Sequence, residues 1–205
     1  MSRTIALTPE AFTLVKFDAA ELLALAHDAA DTVGVPADVD ITIEVDEALP
    51  LPLIASAVAA SDGKIEIWFS GGSFEDPRYQ AELEPETSRA ELAAAMLRGR
   101  DRLDGGFADA PPDAEISDRQ RAIWDVYAEG RLAQLGGFAI REPRRRYSYR
   151  LQCGFNDVAD AEYERVWQAK TFSWAELEEI EGRVKQADPR PSAKKPVRRD
   201  SLRNS

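Results

Sequence analysis

The chain reads Val-Asp-Ile-Thr-Ile-Glu-Val-Asp at residues 39–46. Two apolar runs follow at 53–60 and 64–70, separated by Ser61-Asp62-Gly63. In the first segment apolar and polar residues alternate without a break, which is typical of a strand with one buried face. An Asp-Gly pair between two apolar runs indicates a β-hairpin. We therefore expect three strands in this part of the chain.

Helices are predicted around these strands by their capping residues. Asp18, Ser88, Ser117 and Ser173 each stand three residues before a Glu or Gln, which is the spacing of a capping box. The apolar residues that follow recur as expected for amphipathic helices. The predicted helices cover about residues 19–33, 89–103, 117–135, 157–169 and 173–186. The predicted fold is α+β, a small sheet of three or four strands packed against four or five helices.

The charge divides the chain into a body and a tail. The whole sequence carries −11, and residues 188–205 hold six basic and two acidic side chains, so the tail carries +4 and residues 1–187 carry −15. Because the tail has almost nothing apolar to bury, we expect it to be disordered. We predict one globular domain at 1–187 and a disordered basic tail at 188–205. A body this acidic repels nucleic acid and anionic membranes.

A single histidine, His27, and a single cysteine, Cys153, limit the chemistry available to one chain. These counts exclude a two-histidine zinc site, a cysteine cluster and an internal disulfide. We interpret His27 as the flank of a helix and Cys153 as a buried, inert thiol. The sequence shows no signal peptide and no apolar run of membrane-spanning length, so we expect a cytoplasmic protein without membrane contact. Its richness in Ala, Arg, Asp and Glu is typical of bacterial proteins.

One face of the predicted sheet carries Glu44, Asp46 and Glu66 together with Trp68. Grouped carboxylates can transfer protons or hold a hard cation, although a solvated polar face has the same pattern. An indole on a polar face indicates a cover, either a helix of the same chain or a partner. The glycine pair at 71–72 is followed by acidic residues and no lysine, so it predicts neither a phosphate loop nor a cofactor.

The most distinctive local sequence is Arg-Arg-Arg-Tyr-Ser-Tyr-Arg at residues 144–150. Residues 144–152 alternate, so we predict a strand with buried tyrosines and with Arg144, Arg146 and Arg150 exposed. Exposed cations on an edge strand prevent unwanted pairing, but they could also bind a protein partner, a phosphate ligand or nucleic acid.

The tail contributes four further cations to the candidate binding surface, namely Lys194, Lys195, Arg198 and Arg199. Cations in this number give weak, salt-sensitive and non-specific contact with nucleic acid. Contact between the basic tail and its own acidic body is the alternative. A protein partner is expected for the surface as a whole.

Residues 12–107 run in the order helix, strand, hairpin and capped helix, and in this order the chain resembles the minimal core of the zincin metallopeptidases. In that family the last helix carries HExxH, with two histidines for zinc and a glutamate as general base. Here that helix reads Ala-Glu-Leu-Ala-Ala-Ala-Met-Leu-Arg-Gly-Arg-Asp-Arg-Leu, without a histidine. The resemblance therefore implies a zincin-like scaffold that has lost its metal.

The sequence supports two functional hypotheses. The favoured one is a non-enzymatic cytoplasmic interaction or regulatory protein of bacterial type, which uses the arginine segment, the Trp68 face or the tail. The alternative is an enzyme of unrecognised type that uses carboxylates, or a degenerate zincin-like scaffold without zinc.

Overall fold

The computed structural model of the chain describes residues 3–189. Four strands and six helices of two turns or more follow one another within this range. In chain order they are β1 (Ile5–Thr8), α1 (Ala19–Thr32), β2 (Asp40–Asp46), β3 (Ser56–Ser61), β4 (Lys64–Ser70), α2 (Pro85–Leu103), α3 (Asp118–Leu135), α4 (Glu142–Cys153), α5 (Asp157–Trp167) and α6 (Trp174–Ala187). The predicted α+β fold is confirmed. The tail cations Lys194, Lys195, Arg198 and Arg199 lie outside the described residues.

The four strands form one sheet in the order β1-β2-β4-β3. β1, β2 and β4 run parallel, and β3 pairs antiparallel with β4 at the edge. The predicted hairpin is confirmed: Asp62 and Gly63 connect β3 to β4 with φ of 49° and 75°, which is the backbone that an Asp-Gly turn supplies. β1 was not predicted from the sequence, because its four residues are too few to establish a period.

The sheet buries one face against α1 and α2. The inward residues of β2 and β4 are at most 3% exposed, and they are Ile41, Ile43, Val45, Ile65, Ile67 and Phe69. A second apolar cluster lies among α3, α4, α5 and α6, around the fully buried Trp124, Tyr149 and Tyr163. α3 joins the two clusters, because Ala128 and Leu132 belong to the first and Trp124 to the second. Between residues 3 and 189 no helix is long and apolar enough to cross a membrane.

Two of the predicted capping boxes are present. Ser117 with Gln120 begins α3, and Ser173 with Glu176 begins α6. The prediction for α2 is wrong at its start, because that helix begins at Pro85, about one turn earlier than expected. Its N-cap is Glu84, whose carboxylate accepts a hydrogen bond from the backbone N–H of Thr87 at 2.6 Å.

The predicted strand at residues 144–152 is wrong, since this segment is the helix α4. In a short run with few apolar residues, the two-residue period of a strand and the 3.6-residue period of a helix fit about equally well. Tertiary packing then determines which of the two forms. Tyr149 and Cys153, four residues apart, are both fully buried, as two residues on the same face of a helix would be. Tyr147, which the alternation predicts as buried, is 58% exposed.

We expect Gly130→Ala to destabilise the protein, because an added Cβ would clash with the backbone carbonyl oxygen of Trp167 at the end of α5. The expected loss in the free energy of unfolding is about 1–3 kcal/mol, measured by urea denaturation. Gly182→Ala in α6 is the matched control, because nothing lies within 4 Å of its added Cβ. It should leave stability unchanged or raise it by about 0.5–1 kcal/mol. Equal effects of the two substitutions would contradict the packing of α3 on α5.

Candidate functional site

A cleft of about 240 Å³ opens where the start of β3 meets α2, α3 and α4. Its wall from α2 contains Ala90, Glu91 and Ala94, which the spacing of one helical face brings together. α3 contributes Asp125 and Glu129, and α4 contributes its N-terminal half. The cleft therefore lies at the meeting point of the sheet and the helical half of the molecule.

Glu91 is the most perturbed acid on the cleft wall. Its side chain is partly buried, and it forms no hydrogen bond and no ion pair with any residue between 3 and 189. The pKa of this carboxyl is raised from 4.5 to about 7, mainly by burial and also by the charges of Glu129 and Asp125, while Arg145 and Arg144 act in the opposite direction. A carboxyl with this pKa, facing a cleft, is a candidate for ligand binding or proton transfer.

Two other acids of the cleft wall, Asp125 and Glu129, are already paired. The Arg145 guanidinium donates to Glu129 Oε1 from Nε at 2.7 Å and to Asp125 Oδ2 from Nη1 at 3.2 Å. Arg145 thereby joins α4 to α3 across the cleft. The N–H groups of Arg145 are directed at Glu129 and Asp125. Glu91 therefore has no hydrogen-bonding partner for its carboxyl group in the described part of the chain.

A buried network forms the end of the cleft next to the sheet. The Asp113 carboxylate accepts from Arg102 Nη2 at 2.5 Å and from Arg121 Nη1 at 2.9 Å, while Arg98 Nη1 lies 3.8 Å away. Burial of Asp113 works against its charge, but the three guanidinium groups hold its pKa well below the usual range. The same carboxylate accepts the backbone N–H of Val58 at 2.9 Å. The outer edge of β3 is therefore closed by side chains at this point, and a peptide cannot extend the sheet there.

The arginines of the predicted binding segment differ in their relation to the cleft. Arg144 and its neighbour Arg141 line the cleft and are exposed, and neither side chain forms an ion pair with a residue of the described range. Arg146, in contrast, donates to Glu142 at 2.8 Å and to Glu164 at 2.5 Å. Arg150 forms a bidentate ion pair with Asp160, in which Nε donates to Oδ1 at 2.7 Å and Nη2 donates to Oδ2 at 2.6 Å. Only Arg144 of the three predicted arginines therefore has its charge available at the cleft.

Trp68 does not form part of an open surface. It pairs in register with Glu44 on β2 and with Ala57 on β3, and it is 5% exposed. Other residues of the same chain cover the Trp68 side chain, which is one of the two alternatives inferred from the sequence. Trp68 is therefore buried and does not share an exposed binding surface with the arginine segment.

The three carboxylates of the sheet lie on one face, as predicted, and two of them have partners of their own. Glu66 pairs with Lys64 at 2.5 Å, and Asp46 accepts the backbone N–H of Ala48 at 3.1 Å. Within residues 3–189 no group of three or more histidine, cysteine or acidic side chains is placed to hold a metal ion. The hypothesis of a metal site at Glu44, Asp46 and Glu66 gains no support from this arrangement.

The histidine and the cysteine lie away from the cleft. His27 is exposed on α1, in agreement with its interpretation as a helix flank. Cys153 is fully buried in the second cluster, and this burial raises the pKa of its thiol to about 12. Its thiolate is therefore scarce at neutral pH, which fits an inert thiol.

Glu91 is the residue that sequence reasoning missed. Its position three residues after Ser88 predicts a capping box, in which the carboxylate would bond to the backbone. In the structure α2 starts earlier, and the Ser88 hydroxyl donates to the carbonyl oxygen of Glu84 at 2.6 Å. Glu91 is thereby placed in the second turn of the helix and faces the cleft. The proline at residue 85 was the available signal for the earlier start, since proline favours the first helical turn.

Comparisons with protein-family models, with curated proteins and with solved structures find no match to this chain.

We expect Glu91→Gln to stabilise the protein at pH 8 and to have little effect at pH 5. Between about pH 4.5 and pH 7 the folded state keeps a proton that the unfolded chain releases, so the free energy of unfolding falls as pH rises through this window. Above pH 7 the buried charge costs on the order of 1–3 kcal/mol, and glutamine removes this cost. Urea denaturation at both pH values measures the effect.

The matched control is Glu86→Gln, because Glu86 lies in the first turn of the same helix and is exposed. This substitution should change stability by a few tenths of a kcal/mol with little dependence on pH. A loss of stability in Glu91→Gln at pH 8 would show that Glu91 has a stabilising partner and would contradict the arrangement described above.

Proposed function

We propose that this chain is a non-enzymatic interaction protein, and that its cleft binds a lysine or arginine side chain of a protein partner. The observation that carries the proposal is the carboxyl of Glu91, which faces an open cleft and forms no hydrogen bond or ion pair within residues 3–189. An ionised carboxylate in this situation is costly unless it is paired. A cationic side chain from outside would provide that partner.

The size of the cleft supports a side chain as the ligand. About 240 Å³ is smaller than the roughly 300–1,000 Å³ of pockets that enclose drug-sized molecules. The neighbouring edge of β3 is occupied by Asp113 and Arg121, so a partner segment does not gain affinity by adding a strand. The exposed Arg141 and Arg144 at the rim are suited to acidic groups of the partner next to the inserted cation.

The proposal is tested with N-acetyl-arginine amide as a probe, by isothermal titration calorimetry at pH 8 and pH 6. We expect binding that strengthens from pH 6 to pH 8, because Glu91 ionises between these values. Glu91→Gln should weaken binding about 10- to 100-fold, the range for losing one charge-assisted hydrogen bond. Glu86→Gln should bind as the parent does, and the uncharged citrulline analogue should bind neither protein. Equal binding of the arginine and citrulline probes would contradict the proposal.

We also propose, as a second candidate, that the scaffold is zincin-like and works without zinc. The supporting observation is the spacing on α2, where Ala90, Glu91 and Ala94 share the cleft wall. Ala90-Glu91-Leu92-Ala93-Ala94 matches HExxH in length and in its glutamate, with alanine at both histidine positions. Glu129 lies in the same cleft and could serve as a further oxygen ligand.

If this candidate is correct, the double substitution Ala90→His and Ala94→His should create a zinc site. Metal analysis after dialysis should find about one zinc per chain, and Co²⁺ should give the visible absorption of a tetrahedral site. Each single substitution is a control that should retain little metal, since it supplies only one histidine. A double variant that keeps the parent's circular dichroism and binds no zinc would contradict the zincin-like candidate, and it would leave the arginine-probe test unaffected.

A further inference from the structure

Apolar side chains are exposed together on the outer face of α4 and in the turn that follows it. In the described part of the chain seven large apolar side chains are exposed, and four of them lie within residues 147–158. Tyr147 and Leu151 stand one turn apart on α4, and the ring of Phe155 contacts that of Tyr147 with 6.0 Å between their centroids. Val158 follows in the first turn of α5. The apolar stripe comprises Tyr147, Leu151, Phe155 and Val158.

The apolar stripe is large enough to form the centre of an interface. Its four side chains are 42–58% exposed. Since a fully covered aromatic side chain buries roughly 150–250 Å², the stripe leaves roughly 300–400 Å² of apolar surface open. Patches of roughly 300–600 Å² are the largest on typical monomers and are often functional. Two copies that cover each other's stripe reach, with the polar rim, the lower range of specific interfaces at about 1,200 Å².

The two ends of the stripe carry opposite charges. Arg144 stands one turn before Tyr147 on the same face of α4, and Asp157 is the first residue of α5. Both charged side chains are exposed, and neither forms an ion pair with a residue of the described range. The bidentate pair of Arg150 with Asp160 holds the first turn of α5 beside the last turn of α4. Arg144 therefore lies at one end of the stripe and Asp157 at the other.

This distribution of charge is self-complementary under a two-fold rotation. We propose that the chain forms a symmetric dimer, in which the apolar stripes of two copies cover each other with their α4 helices antiparallel. Arg144 of each copy then meets Asp157 of the other, because a two-fold axis at the middle of the stripe exchanges its ends. The other arginines of α4 cause little repulsion, since they pair with acids of their own chain; they are Arg145, Arg146 and Arg150.

The opposite charges at the two ends favour a second copy over a different partner. A partner segment of one charge sign matches one end of the stripe and is repelled at the other. A second copy matches both ends at once, and the same surface serves on both sides of the interface. The dimer shares only Arg144 with the cleft, and the inference does not rest on the proposed function.

Sedimentation equilibrium of the full chain, over concentrations around the expected Kd, measures the association. We expect a monomer–dimer equilibrium with a Kd on the order of 10–100 μM, the strength of a small and transient interface. Leu151→Ser should weaken the dimer about 5- to 30-fold, because it removes an apolar side chain from the middle of the stripe. Leu135→Ser is the matched control, since Leu135 is similarly exposed but lies at the end of α3. This control should associate as the parent does.

The charged ends allow a test that depends on contact between copies. Arg144→Asp makes both ends of the stripe acidic, and Asp157→Arg makes both ends basic. Each single variant should associate at least about 10-fold more weakly than the parent, because like charges across an interface repel. A mixture of the two variants should restore the dimer, because the acidic ends of one variant then face the basic ends of the other. Thermal unfolding followed by circular dichroism checks that both variants are folded.

A chain that stays monomeric at every concentration would overturn the inference and leave the apolar stripe to a different partner. A dimer that Leu151→Ser does not weaken would also reject it, since another surface would then hold the two copies together. Folded charge variants that associate as the parent does, or whose mixture forms no dimer, would contradict the antiparallel arrangement. Glu91→Gln should associate as the parent does, so the test of the cleft and the test of the dimer are decided separately.

Discussion

The buried carboxylate of Asp113 is the contact on which the arrangement of the molecule depends. It accepts a hydrogen bond from β3 through the backbone of Val58, and it binds Arg102 of α2 and Arg121 of α3. Three structural units are thus joined at one buried group. Removing one partner of such a network leaves uncompensated charge in the interior, which typically costs about 3–5 kcal/mol. The network therefore fixes α3 against the edge of the sheet.

The cleft follows from this junction. Because α3 is held at the sheet by Asp113 and α4 is held to α3 by Arg145, a gap remains between α4 and α2. Glu91 projects into that gap from α2, and α2 is held in place by its packing against the sheet. Three of the arginines in the cleft wall are directed at Asp113, Asp125 and Glu129. Glu91 forms no ion pair within residues 3–189. Polar groups arranged in this way are more often found at binding sites than in ordinary cores.

The arginine segment at 144–150 shows how tertiary packing changes the interpretation of a charged sequence. Arg144 and Arg145 of this segment both line the cleft. Its secondary structure was wrong because period-two and helical patterns overlap in a short run with few apolar residues. In the helix, Arg146 reaches Glu142 four residues earlier, and Arg150 reaches Asp160 on α5. Two of the three arginines that were predicted to bind a partner are thus engaged in ion pairs within the protein. The packing of α4 on α5 determines these contacts, and the sequence does not show it.

Features that depend on neighbours along the chain could be predicted from the amino-acid sequence. The alternation in residues 40–46, the Asp62-Gly63 turn and the capping boxes of Ser117 and Ser173 act over a few residues, so local chemistry was sufficient to predict them. Tertiary structure alone decided the candidate site. The pKa of Glu91 depends on Glu129 and Arg145, which lie 38 and 54 positions further along the chain. Desolvation and Coulomb interactions follow distances in space, and no local pattern encodes those distances.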